Sequence, residues 1–412
     1  MSGHGGKITV LGAGLAGLAV ALLLARSGKR VTVLEQLEGS DGRGTGIQIT
    51  PNGMRVLAAL GLFDQVREIG AEATGVEVRD HLSGRLLAGI DLSRHGDSEF
   101  PTMLLIRNEL VRLLALAAQS AGVEILRGRK VVGLTESGGT VFCRLSCGSS
   151  HAASRLIGAD GLHSRARELL NPNEPPIRAT HVAWRATISA GGGDAINAGT
   201  VSLVVGPNRH LVAYRPDSGA SINLVAVLRT KHPFEYHAPR ISDFKGLLGE
   251  FADFGGRFGE LLSNVDSVSR WALGSAGVAR NWNSERVAII GDALHPVLPF
   301  LAQGGSLALE DAWVMSHKLS IHQEFTAAAA EFRKVRESRV RKVALASSRQ
   351  GWIYHFPLRL PRNLVLKALH FGGRLAPGLG TFPFRWIHDM DVVNDPPKEN
   401  TDQASSLTQI GT

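Results

Sequence analysis

The stretch KITVLGAGLAGLAVALLLARSGKRVTVLE, Lys7 to Glu35, constrains this chain more than any other. Ile8 to Leu11 predicts a buried strand, Gly12-x-Gly14-x-x-Gly17 a tight turn, and the apolar run to about Arg26 a helix; Arg30 to Leu34 then returns as a second strand, giving a βαβ unit. Gly12 permits the turn, Gly14 lets a pyrophosphate approach the backbone, and Gly17 lets the helix pack close to the strands. Glu35, at the end of the second strand, is placed to accept hydrogen bonds from an adenosine ribose. An acidic residue there disfavours a 2′-phosphate, so the implied dinucleotide is FAD or NAD and not NADP.

Two later stretches repeat the strand-to-turn theme. In RVAIIGDALHPVLPFLAQGGSLALEDAWVMSHK, Arg286 to Lys318, a strand ends at Gly291-Asp292, where a carboxylate can accept hydrogen bonds from a ribose-like hydroxyl. His295-Pro296 and Pro299 stiffen the connection, and Gln303-Gly304-Gly305 leads into a helix from about Ser306 whose N-terminal end attracts phosphate or an electron-rich ring. In Ala153 to Arg167, Leu156-Ile157-Gly158 runs into Asp160-Gly161, and Asp160 reads either as a helix cap or as a ribose ligand. The segment Gly39 to Asn52 is too glycine-rich for regular structure and reads as a ligand-contacting loop ahead of a helix around Met54 to Leu60. Its Arg43 meets the pyrophosphate or ring system, or is an exposed loop arginine; Arg107, opening a helix from Glu109 to Gln119, meets a phosphate or a surface partner.

Composition narrows the class. A chain of 412 residues with 44% hydrophobic and 20% charged residues has room for two or three globular domains. It contains no run of eighteen apolar residues, and Met1 to Gly6 is too short and polar for a signal peptide, so a cytoplasmic protein without a transmembrane segment is expected. Cys143 and Cys147 lack the further ligands of a metal site and read as structural residues of one strand. The net charge of +8 suits anionic small molecules. The arginine-rich run Phe332 to Lys342 is interleaved with glutamates and valines, which predicts a solvated amphipathic helix and not a nucleic-acid patch.

From His181 to Leu228 the pattern changes to short alternating segments, an antiparallel sheet inserted among parallel α/β elements. Period two puts His210, Val212 and Tyr214 on one face. Facing the dinucleotide, that surface is a substrate wall with a base; facing outward, it is a polar sheet surface. The expected architecture is α/β. A Rossmann-like dinucleotide-binding domain is built from 1–75, 101–175 and 276–320, with substrate-domain strands at 76–100, a substrate-binding β-sheet domain at 176–275, a helical region at 321–392 and a disordered tail at 393–412.

Together, Gly12-Gly14-Gly17 with Glu35, Asp160-Gly161 with Ser164 and Arg167, and Gly291-Asp292 with His295-Pro296 resemble the motifs of the single-component FAD-dependent aromatic hydroxylases. The fold implied is that of p-hydroxybenzoate hydroxylase, and GPNRHLVAYRPDSGASINLVAVL, FRKVRESRVRKVALASSRQGWIYH and FRWIHDMDVV are similar to the salicylate and 3-hydroxybenzoate hydroxylase branch. The resemblance implies non-covalent FAD, transient NADH or NADPH without its own domain, and a flavin C4a-hydroperoxide that hydroxylates a phenolic or aromatic-acid ring. It also allows a homodimer. It assigns Glu35 to the adenosine ribose, Asp292 to the ribityl chain or pyrophosphate, Arg107 to FAD, and the turn from Pro299 to Gly305 to the isoalloxazine. His210, with Tyr214, stands near the substrate hydroxyl, and a reference pKa of about 6.5 suits such a base. Gln48 and Arg185 are the next polar candidates. Pro299 and Phe300 are apolar where some relatives carry His or Gln, so substrate anchoring there differs. A halogenase of this fold would carry a WxWxI segment, which is missing. A FAD-dependent oxidoreductase acting on a non-aromatic substrate and a non-catalytic flavoprotein are the competing functions.

Overall fold

A computed structural model of the chain describes residues 7–39, 45–92, 99–189, 196–217, 221–235, 240–241, 244–265, 268–274, 276–375 and 385–394. Its centre is a five-stranded parallel sheet in the order Val287–Ile289, Arg155–Gly158, Ile8–Leu11, Val31–Leu34, Glu124–Leu126. Ile8–Leu11 and Val31–Leu34 are buried at every position, as strands covered on both faces must be. The helix Leu15–Arg26 leaves the first strand through the glycine turn and packs against Arg107–Ser120 and Gly304–Ile321. Three strands widely separated in sequence therefore end at one edge of the sheet, and their turns converge. The cofactor-binding architecture expected from the motifs is this one.

The second layer is an eight-stranded sheet in the order Arg240–Ile241, Ser269–Gly274, Arg178–Ser189, Ser221–Glu235, Arg209–Tyr214, Thr200–Gly206, Gly75–Asp80, Leu86–Asp91. All its pairings are antiparallel except that of Thr200–Gly206 with Gly75–Asp80. One face, with Trp184, Leu211, Leu224 and Ala226, is covered through Leu247, Phe251 and Phe258 by the helical segment after residue 244. The opposite face carries His210, Val212, Tyr214, Val225 and Val227 and looks toward the parallel domain.

Three expectations change. The part of Gly39–Asn52 that is described is not irregular: Gly46–Ile49 forms a strand antiparallel to Met103–Ile106, followed by the helix Pro51–Ala59. Alternating Ile47 and Ile49 supply the β-branched side chains that stabilise that pairing, which a count of glycines hides. Cys143 is buried in its strand, whereas Cys147 lies in the following turn and is exposed. The arginine-rich run lies on the helix Phe325–Tyr354, but it is solvated on one side only, since Arg336 and Arg339 are buried. The tail expected at 393–412 falls, beyond Asn394, outside the described residues. Among the described residues no helix is long and apolar enough to cross a membrane.

Candidate active site

The three converging turns border one cavity of about 500 Å³. On its nucleotide side, Gly12 adopts φ +91°, and a Cβ there would stand 2.6 Å from the Ala159 carbonyl oxygen. A Cβ on Gly17 would stand 1.9 Å from the Gly12 oxygen, so both glycines are required by backbone packing. Gly14 differs: its nearest neighbour is the Arg107 guanidinium, 3.9 Å from where a Cβ would be, and the space beside it belongs to the cavity. Gly14 is also the N-cap of Leu15–Arg26 and makes no side-chain cap, so the first N–H groups of that helix and the Arg107 cation face the same space. Such a cradle suits an anionic group such as a pyrophosphate.

Glu35 accepts hydrogen bonds from the backbone N–H of Ala13 (2.7 Å) and of Leu37 (2.8 Å), tying the end of the second strand to the glycine turn. Asp292 is open to the cavity at the end of its strand; desolvation by the surrounding turns raises its pKa, with His295 and Arg107 pulling it back. Gly304 and Gly305 line the same cavity, and a Cβ on Gly305 would press within 3.0 Å on Ile47 and Ile49. Asp160 is placed otherwise. Its carboxylate accepts from the Ser164 hydroxyl (2.5 Å) and the Arg165 N–H (2.7 Å), capping the helix Arg165–Leu170, while Gly161 and Leu162 line the cavity in its stead. Of the two roles open to it from sequence, the structure displays the cap. Arg43 lies outside the described residues.

The wall opposite is the sheet face bearing His210, Val212 and Tyr214, with Arg185 and Gln48 at its margins. His210 is buried, and its Nδ1 lies 2.7 Å from Nε2 of His355, so one nitrogen is committed to that partner. Phe300, Tyr354 and His181 complete the surroundings of the pair. Burial pushes the pKa of His210 down to about 3, with His181 adding to the effect. The expected base titrating near neutrality is not found: sequestered among rings, His210 is a neutral hydrogen-bonding imidazole. Burial likewise pushes the Tyr214 phenol up, and a Cβ on Gly46 would stand 2.4 Å from its hydroxyl. Arg185 lies over the Trp271 ring, 5.2 Å from its centroid. Pro299 lines the cavity, but Phe300 does not; it packs between the histidines and Gly351 instead.

Behind the turns lies a polar scaffold that the sequence did not disclose. Asp311 accepts from the Gly291 N–H (2.9 Å) and bonds His295 (2.5 Å), holding both ends of the turn that presents Asp292. Arg336 bridges Asp311 (2.8 Å) and Glu310 (2.5 Å), and Arg339 adds a second bond to Glu310 (2.8 Å), all essentially without solvent exposure. Burial would raise the Asp311 carboxyl, yet His295 and Arg336 hold it down to about 2. The Gln303 amide is a strut between Thr50 (2.9 Å) and Asn52 (3.1 Å). The advance signal was the acidic pair Glu310-Asp311 in an otherwise apolar stretch of helix.

Comparison with known proteins agrees with this geometry. A family model described as "FAD binding domain" matches residues 6–233 and 253–345. The 3-amino-4-hydroxybenzoate 2-monooxygenase PtmB3 of Streptomyces platensis is 30% identical over 393 residues, 94% of this chain and 96% of that protein. A 3-hydroxybenzoate 6-hydroxylase of Polaromonas naphthalenivorans is 29% identical over 367 residues, 87% of this chain and 91% of its own length. Among solved structures, Klebsiella pneumoniae HpxO complexed with FAD and uric acid superposes with a TM-score of 0.78 at 25% identity, covering 92% of this chain and 97% of that one. A salicylate hydroxylase substrate complex, at 21% identity and a TM-score of 0.76, covers 94% and 96% and shares the fold.

Proposed function

The chain belongs to this FAD-binding family and is a FAD-dependent monooxygenase, and we propose that it hydroxylates the ring of a phenolic aromatic acid with NADH or NADPH as reductant. The observation that supports this reading is the single cavity with Gly14, Arg107 and Asp292 on one side and His210, Tyr214 and Arg185 on the other.

The residues present fit FAD. The open space at Gly14, the helix N-terminus and Arg107 suit the pyrophosphate, Glu35, at the end of the second strand beside the glycine turn, is assigned to the adenosine ribose, and Asp292 offers a carboxylate to the ribityl hydroxyls. Gly304 and Gly305, at the start of Gly304–Ile321, leave room for a flat ring. Bound FAD supplies hydride acceptance and the activation of dioxygen; the protein's share is to bind, orient and exclude water.

On the opposite wall, Val212 and Val225 are paired neighbours that make an apolar platform for the substrate ring, and Arg185 supplies a cation for a carboxylate. In the tautomer whose Nδ1–H donates to His355, the remaining nitrogen of His210 is the acceptor for the substrate hydroxyl. A neutral imidazole so placed draws electron density onto the ring by hydrogen bonding and does not store the proton. Tyr214 borders the same space from the strand end beside Gly46. Two free cysteines agree with a reducing cytoplasm.

The test is NADH and NADPH oxidation by the yellow protein, with and without phenolic acids, with peroxide measured alongside. Substrate should accelerate oxidation by about tenfold or more, as in enzymes that gate a step by binding. His210→Ala should reduce hydroxylation about tenfold, the scale of one lost hydrogen bond, while flavin reduction persists and peroxide rises. Oxidation rates indifferent to every phenol and aromatic acid would overturn the hydroxylase reading.

A further inference from the structure

Beside the main cavity lies a second one of about 150 Å³, and the two meet at Gln48, His210, Val212, Pro299 and Ala302, which line both. We propose that this smaller cavity is a substrate subsite for an apolar substituent, a short alkyl chain or small ring carried next to the hydroxyl. The proposal rests on the phenolic-acid reading above and extends it to a substrate class.

Chemistry and size both point there. The lining is supplied largely by Val76, Ile90, Leu92, Val201, Leu203 and Ile387. Thr50, Thr102 and His388 also border the space, and the Thr50 hydroxyl is engaged by Asn52, Ser306 and Gln303. An apolar cavity of about 150 Å³ is the size that accommodates a benzene ring in other proteins. Neither the nucleotide cradle nor Arg185 borders this space, so the roles assigned to the main cavity leave it unused.

The sheet register supplies the alignment. Arg185 pairs with Val225, Val225 with Val212, and Val212 with Leu203, so these four form one row across four adjacent strands. Three strand spacings of about 4.8 Å place the ends of the row about 14 Å apart. Arg185 lines the main cavity, Val212 lines both, and Leu203 lines the smaller one. A ring lying on Val225 and Val212 thus has a cation toward one end and an apolar recess toward the other. Because His210 stands at the junction, the ring edge nearest the recess is the one bearing the hydroxyl. An ortho substituent enters it.

The experiment uses the holoenzyme and 3-hydroxybenzoates bearing linear alkyl chains of about one to five carbons at carbon 4, ortho to the hydroxyl and para to the carboxylate, with 3-hydroxybenzoate as the reference. KM for coupled NADH oxidation should fall about fourfold per methylene, the equivalent of about 0.8 kcal/mol each, until the recess is full, and then rise. Leu203→Phe and, independently, Ile90→Phe should flatten the chain-length dependence, with FAD content and turnover of 3-hydroxybenzoate kept. A KM indifferent to chain length in the native enzyme would overturn the subsite. So would a dependence that survives in a filled variant retaining its FAD and thermal midpoint. If no phenol of either kind stimulates NADH oxidation, the phenolic-acid reading fails and this proposal with it; stimulation by the reference alone defeats only the subsite.

Discussion

Lowering the pH from about 7.5 to about 5.5 should destabilise this protein through the three histidines that surround its active-site wall. His181, His210 and His355 are all buried, and burial pushes their pKa values down to about 4, 3 and 2. In the unfolded chain each returns to about 6.5, so below that pH the unfolded state takes up protons that the folded state refuses. The stabilising difference is present above about pH 6.5 and is lost as the pH falls. Over this window each histidine contributes about 1.4 kcal/mol of loss, about 4 kcal/mol for the three. With an unfolding entropy of about 2.1 cal/mol/K per residue, that lowers the thermal midpoint by about 5 °C. His81, His151, His163 and His388 are lowered by burial as well and steepen the total, whereas Asp160 and Asp292, raised by burial, oppose it. Asp80 and Asp311 are depressed and respond only at lower pH. The cluster's share is therefore read from His181→Phe, which leaves the bonded His210–His355 pair in place. Urea midpoints at both pH values, with excess FAD, should show the variant's pH-dependent loss smaller by about 1.4 kcal/mol. An unchanged loss would show that His181 is not held neutral, and the argument from burial would fall.

Asp292→Ala should raise the dissociation constant for FAD about ten- to a hundredfold, as loss of a hydrogen bond to a charged group does; Glu35→Ala should weaken binding less and also lower the thermal midpoint, because it releases the Ala13 and Leu37 N–H groups. Fluorescence titration of the apoprotein measures both, and equal affinity in the two variants and the native chain would remove the assigned roles. Arg336→Met leaves Glu310 and Asp311 as buried carboxylates without their shared cation, at a cost of about 3–5 kcal/mol; calorimetry should show the midpoint fall by about 3–6 °C, and an unmoved midpoint would mean that the buried pairs contribute nothing.

What could be read from the residues depended on how local the constraint was. Gly12, Gly14 and Gly17 act within one turn, so their spacing carries the βαβ unit in full. Asp160 was ambiguous because a cap and a ribose ligand both want a carboxylate at a strand end, and only the positions of Ser164 and Arg165 decide. Period two put His210 and Tyr214 on one face but could not say which, since the helices that cover the other face come from residues beyond 244. The lowered pKa of His210 was illegible for a similar reason: its partner His355 is 145 residues away. Arg336 and Arg339 misled because a charged helix is ordinarily solvated, and only the buried Glu310-Asp311 pair makes their inward placement tolerable.

The helix Phe325–Tyr354 joins these long-range contacts into one frame. Near its middle, Arg336 grips Asp311, the carboxylate that fixes the turn presenting Asp292, and with Arg339 also grips Glu310. About 27 Å further along, at 1.5 Å per residue, it ends at Tyr354, and the next residue is His355 on His210. One turn before that end, Gly351 accepts the Phe300 ring so closely that a Cβ would stand 2.3 Å from it. Phe300 itself belongs to the turn between Asp292 and Gly304, so the helix touches the cofactor side and the substrate wall through separate residues. His210, the proposed hydroxyl acceptor, and the turn between Asp292 and Gly304 are thereby positioned against the same rigid rod. On the proposed function, a substrate held by His210 is held at a distance from that turn which this packing fixes, and the coupling of reductant to product is expected to depend on that distance.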